Sequence, residues 1–124
     1  MFVPVLKQGG VLIASIQAAL SDADLLQLRD DLVGKVGQFR STGVIIDVTA
    51  LDVMDSFATR TLRGIAEAIR LRGARAVIVG IQPEVAMSMV QLGLVLGAVT
   101  TALDLEEGLE ILAASGMEDA PGDR

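Results

Sequence analysis

Hydrophobic positions fall into short continuous runs and longer periodic ones, and their alternation predicts the order of the elements. Phe2 to Leu6 and Val11 to Ile16 are short apolar runs separated by Lys7, Gln8, Gly9 and Gly10, a polar stretch with the glycine content of a hairpin turn. The chain is therefore expected to open with an antiparallel pair. From Ser21 the period changes, and Leu25, Leu28, Leu32, Val36 and Phe39 recur at the spacing of one helix face. Ser21 is a good N-cap, and Asp22 and Asp24 follow in the first turn, where carboxylates complement the helix dipole.

The run Val44-Ile45-Ile46-Asp47-Val48 is short and nearly all β-branched, bounded by Gly43 and Thr49, which predicts a strand covered on both faces. A second amphipathic helix is expected from about Ser56, turning Phe57, Leu62, Ile65, Ala66 and Ile69 inward and closing at Arg72-Gly73. Ala76 to Val79 repeats the buried-strand pattern. Pro83 fits the first turn of a third helix through about Leu92, since its missing N–H is unneeded there, and Gly93 is placed to end it. Val95 to Thr100 is expected as the last strand. Asp104 then opens a final helix with Leu105, Leu109 and Leu112 on one face and Gly116 as its stop.

This order predicts an α/β fold with about five strands in a mixed, mostly parallel sheet, about four α-helices and an N-terminal antiparallel hairpin. Residues 1–116 are expected to form a single domain, and 117–124, with Pro121 and Gly122, a flexible tail.

Composition narrows the function classes. A hydrophobic fraction of 52% implies a packed core and excludes a disordered chain, while three Phe with no Trp or Tyr weaken any aromatic platform for stacking. The hydrophobic surplus fits either a well-filled core or self-association, for which a homo-oligomer, a dimer, is the simplest form. A net charge of -6 argues against a nucleic-acid partner, since phosphate binding needs a surplus of Lys and Arg. With no cysteine and no histidine, disulfides, thiolate nucleophiles, histidine bases and the usual zinc ligands are all missing. No cofactor, metal or enzymatic activity is expected.

The apolar stretch from Val85 to Leu103 is interrupted by Ser88, Gln91, Gly93, Gly97, Thr100 and Thr101, so it reads as helix, turn and strand rather than a membrane span. The N-terminus has no basic region ahead of its apolar run and no small-residue cleavage site, and the cytoplasm is the expected compartment.

Groups suited to chemistry concentrate between the third strand and the second helix, from Asp47 through Thr49, Asp52 and Asp55 to Ser56. In a parallel α/β sheet, sites form outside the carboxyl ends of the strands. Asp55 or Ser56 can cap the helix, and capping alone would account for both. Counting on from Ser56, the residues Thr59, Arg60, Arg63, Glu67 and Arg70 are expected on a polar face opposite the apolar one. A phosphate on Ser56 would gain from the positive helix end and from Arg60, while adding negative charge beside Asp52 and Asp55. Arg60 and Arg63 would then serve as a docking face, although solvated charge also explains them.

Two enzyme-like readings fail on missing groups. A phosphoaspartate receiver would use Asp47, Asp52 and Asp55, yet it needs an acidic pair after its first strand and a late-strand lysine, and the only lysines are Lys7 and Lys35. A serine hydrolase built on Ser56 has no histidine to activate it and no Gly-x-Ser-x-Gly elbow. Neither a Walker loop nor a dinucleotide fingerprint occurs.

The segment Met54-Asp55-Ser56-Phe57-Ala58-Thr59-Arg60-Thr61-Leu62 closely resembles the phosphorylation-site helix of the RsbS-type stressosome proteins, small STAS-domain antagonists in anti-sigma-factor pathways. Gly80-Ile81-Gln82-Pro83-Glu84-Val85, and the stretch from Leu92-Gly93-Leu94 to Thr100-Thr101-Ala102-Leu103-Asp104, look similar to the same family. The resemblance covers roughly residues 2 to 115.

It implies a STAS fold and a regulatory protein of the bacterial stressosome, without catalysis of its own, that joins larger STAS paralogues and sequesters a switch-type serine-protein kinase. Ser56 matches the phosphoacceptor, Asp55 the acidic neighbour before it, and Thr59 and Arg60 the following helix face. Phosphorylation of Ser56 would release the kinase to downstream signalling. The alternative within the resemblance is a stand-alone STAS antagonist that binds an anti-sigma factor directly.

Overall fold

A computed structural model describes residues 3–97 and 99–118. The elements are β1 (Val5–Gln8), β2 (Val11–Ser15), α1 (Asp22–Phe39), β3 (Gly43–Asp47), α2 (Ser56–Leu71), β4 (Arg75–Val79), α3 (Pro83–Gln91), β5 (Thr100–Ala102) and α4 (Leu105–Glu118). The sheet runs in the order β1-β2-β3-β4-β5, antiparallel between β1 and β2 and parallel from β2 onward. This is the mixed sheet with an N-terminal hairpin that the sequence predicts.

Side-chain alternation sorts the strands between two layers, because successive strand residues point to opposite faces. Ala14, Ile46 and Ile78 are in register and face one layer, where they meet Leu28, Leu32 and Val36 of α1, Leu62, Ile65 and Ile69 of α2, and Val85 and Met89 of α3. Their neighbours Ile13, Ile45 and Val77, also in register, face the other layer and Leu112 of α4. Each fully buried Leu or Ile of α2 contributes about 1.5–3 kcal/mol of transfer free energy. Because β3 and β4 are covered on both faces, they are apolar almost throughout. The single helix on the second face comes close to the sheet through Gly108, where an added Cβ would lie 2.8 Å from both Ile45 Cδ1 and Val79 Cγ1.

Three details differ from expectation. The last strand is Thr100–Ala102 and does not begin at Val95, because Gly93 and Gly97 adopt positive φ of 68° and 67° and turn the chain instead of extending it. Leu94 and Leu96 in that turn pack against the main core, and Ala98 lies outside the described residues. The final helix runs through Gly116 to Glu118, since glycine weakens a helix interior by only about 1 kcal/mol and ends a helix only where the chain leaves helical dihedrals. Of the expected tail, residues 119–124 lie outside the described ones. Phe57 is half-buried and does not join the core stripe of α2.

Candidate functional site

The site begins at the carboxyl end of β3. Val48 N–H donates to Val79 O at 3.0 Å, and the chain then leaves the sheet. Asp47 Oδ1 accepts from Thr49 N–H at 2.9 Å and from Thr49 Oγ1 at 2.6 Å, an Asx-type turn that starts the loop. Leu51 and Met54 are buried in the main core and pin the loop from below, while Asp52 and Val53 face outward, Val53 with 67% of its surface exposed.

Asp55 is the N-cap of α2. Its backbone is extended (φ -79°, ψ 179°) and its Oδ1 accepts from Ala58 N–H at 2.8 Å. Ser56, the first helical residue, is exposed, and among the described residues its hydroxyl makes no hydrogen bond. The ambiguity between the two possible caps is thereby resolved: Asp55 satisfies the helix end, and the Ser56 hydroxyl has no structural task.

Of the other site residues, Arg60 is exposed one turn further along and pairs with no carboxylate among the described residues. Arg63 is half-buried, and its Nη1 donates to Val95 O at 3.1 Å, so it ties α2 to the loop after α3. Thr59 requires a correction. It is only 1% exposed, and its Oγ1 donates to Asp55 O at 2.9 Å, so it does not belong to the polar face. The physical reason is phase: Thr59, Leu62, Ala66 and Ile69 follow one another at three- and four-residue steps and form one inward stripe. Glu67 and Arg70 are exposed, as expected.

Gln82 and Gly80 are additions that sequence reading did not assign to the site. Gln82 Nε2 donates to Thr49 O at 2.7 Å, spending on the loop the side chain that sits at the N-cap of α3. Gly80 has φ of 81°, and an added Cβ would lie 2.0 Å from Thr49 Oγ1. The loop before Ser56 is thus clamped from β4 and the start of α3. Glycine directly after a buried strand, with Gln82-Pro83 two residues on, was the available signal, but the partner of Gln82 is 33 residues away.

The acidic residues do not converge. Asp47 turns back onto Thr49 and Asp55 onto Ala58, and among the described residues no group of three or more His, Cys, Asp or Glu is placed to hold a metal ion. Chemically, the arrangement offers a single accessible hydroxyl at the positive end of a helix.

Residues 3–108 match the STAS domain family. The chain is 34% identical over 84 residues to the RsbT co-antagonist protein RsbRA of Bacillus subtilis (strain 168), a match covering 68% of this chain and 31% of RsbRA, so it spans about a third of that relative's length. Among solved structures it is similar to Moorella thermoacetica RsbS carrying a serine-to-glutamate substitution, with a TM-score of 0.79 and 33% identity over 93% of this chain and 97% of that one. It is likewise similar to a chain from the molecular architecture of the stressosome, described as a signal integration and transduction hub, with a TM-score of 0.74 and 32% identity over 91% of this chain and 98% of that one.

Proposed function

The chain belongs to the STAS-domain family, with relatives among the stressosome proteins, and we propose that it is a non-catalytic antagonist that holds a switch-type serine-protein kinase until that kinase phosphorylates Ser56. The observation that carries this reading is the division of labour at the start of α2: Asp55 caps the helix, and the neighbouring hydroxyl is exposed and unengaged.

The kinase would supply ATP and the base. Ser56 Oγ attacks the γ-phosphorus, the bond to ADP breaks, and the hydroxyl proton leaves to the kinase's base. The product carries up to two further negative charges at a helix N-terminus, where backbone N–H groups tolerate them. Asp52 and Asp55 beside it are already acidic, so the surface presented to a partner becomes strongly negative while no bond of the fold is lost. Kinase release follows from repulsion and from the altered shape of the docking face, in which Arg60 remains available. Val53, three residues before Ser56, and Val95, whose carbonyl accepts from Arg63, are 67% and 66% exposed and would supply apolar contact area.

Assembly with larger STAS paralogues is supported by the likeness to RsbRA, which is about three times as long as the matched region, and to the stressosome chain. A cytoplasmic location and formation of homodimers belong to the same reading; no helix of the described residues is long and apolar enough to cross a membrane.

The test is phosphate mapping by mass spectrometry after incubation with a cognate switch kinase and ATP. A single added phosphate on Ser56, lost in Ser56→Ala, is expected. Label retained on Ser56→Ala would overturn the assignment, and capture of an anti-sigma factor with no kinase bound would favour the stand-alone antagonist.

A further inference from the structure

A cavity of about 750 Å³ lies at the end of the sheet opposite Ser56, in the range of about 300–1,000 Å³ typical of small-molecule sites. It exists because β5 pairs only with Val77, Ile78 and Val79, so the edge of β4 at Arg75 and Ala76 has no strand beyond it. Small residues on both sides, Ala66 from α2 with Gly73, Ala74 and Ala76 around β4, leave the space unfilled. Val99 and Leu112 complete an aliphatic wall.

Two arginines also line the cavity. Arg75 is held in position, its Nη1 donating to Ser115 Oγ and its Nη2 to Thr100 Oγ1 at 3.2 Å. Arg70, from α2, also lines the cavity and forms no ion pair among the described residues. Glu67 is the one carboxylate in the lining, so the local balance is two cations against one anion on a chain whose net charge is -6. An anion seated in the cavity would be attracted by both arginines, and charge-assisted hydrogen bonds to a guanidinium are among the stronger polar contacts. The lining contains no aromatic ring, which removes the usual stacking partner for a nucleobase.

We propose that this cavity binds a small amphipathic anion, a carboxylate or phosphate head held by Arg70 and Arg75 with an aliphatic body over Ala66, Ala76 and Leu112. The inference is independent of the Ser56 reading, because the cavity meets only the carboxyl-terminal half of α2. Ser56 lies about 15 Å along the helix axis from Ala66, the nearest α2 residue of the lining, at about 1.5 Å per residue.

The test is a ¹⁵N–¹H NMR titration of the full chain with octanoate and with octyl phosphate, using octyl glucoside as the neutral control, all below micelle-forming concentrations. Saturable shifts at the Ala66, Gly73, Ala76 and Thr100 amides are expected with at least one anion and not with the glucoside. The anion that saturates first identifies the preferred head group. Arg70→Gln, an exposed change that leaves the fold intact, should weaken binding on the order of tenfold or more, and Arg75→Gln should do the same. Absence of saturable shifts with both anions, equal binding of the glucoside, or unchanged affinity in both arginine variants would overturn the proposal.

Discussion

Two serines stand at helix starts in this molecule, and they do opposite things. Ser21 is the N-cap of α1: its Oγ accepts from Asp24 N–H at 3.1 Å, and Asp24 Oδ2 accepts in return from Ser21 N–H at 3.3 Å. Ser56 sits one position later relative to its helix, beyond a cap already supplied by Asp55, and its hydroxyl is unengaged. Both fit the same local preference for Ser and Asp at helix starts. The difference is one residue of phase. A hydroxyl with a structural task cannot be modified without disturbing the fold, whereas one with none can carry a phosphate while the domain persists.

Several substitutions would break or sharpen that contrast. The largest expected loss is Gly80→Ala, about 2–4 kcal/mol, because a side chain at positive φ is strained and its Cβ would run into Thr49. Urea denaturation should show the loss, and the loop that presents Ser56 should become more accessible to proteolysis. Ser21→Ala and Asp55→Ala should each cost about 1 kcal/mol, the usual worth of an N-cap, read as a lowered midpoint in the same experiment. Gln82→Ala removes one hydrogen bond to the loop and should cost about 0.5–1.5 kcal/mol.

Ser56→Ala should change stability by no more than about 0.5 kcal/mol, as for an exposed side chain without partners. If Ser56→Ala proved as costly as Ser21→Ala, the two serines would not differ and the division of labour would be lost.

Much of this contrast was legible in the chain. The change from continuous to periodic hydrophobic runs located α1, α2 and α4, Pro83 and Gly93 bracketed α3, and Ser21 with Asp24 marked the start of α1. At α2 the sequence allowed either Asp55 or Ser56 to be the cap, and only the observed backbone, helical at Ser56 and extended at Asp55, decides between them. Thr59 was assigned to the wrong face because a threonine among arginines looks polar, although its spacing to Leu62, Ala66 and Ile69 places it inward. Its hydroxyl finds the carbonyl of the N-cap Asp55 one turn back, which makes burial inexpensive.

Long-range contacts were not legible at all. The clamp from Gln82 to Thr49 and the bond from Arg63 to Val95 each join residues far apart in sequence, and they depend on how the loops meet after the sheet has formed. The premature strand at Val95 has a more local origin. Its β-branched residues have the right local preference, but the glycines around them turn the chain, and the sheet accepts only Thr100–Ala102.

The most direct measurement is the affinity of a cognate switch kinase for this chain before and after phosphorylation of Ser56, followed by calorimetry on the same preparation. The account predicts binding by the unmodified chain and loss of that binding on the phosphorylated one. Undiminished binding after phosphorylation, or no binding at all by the unmodified chain, would contradict it.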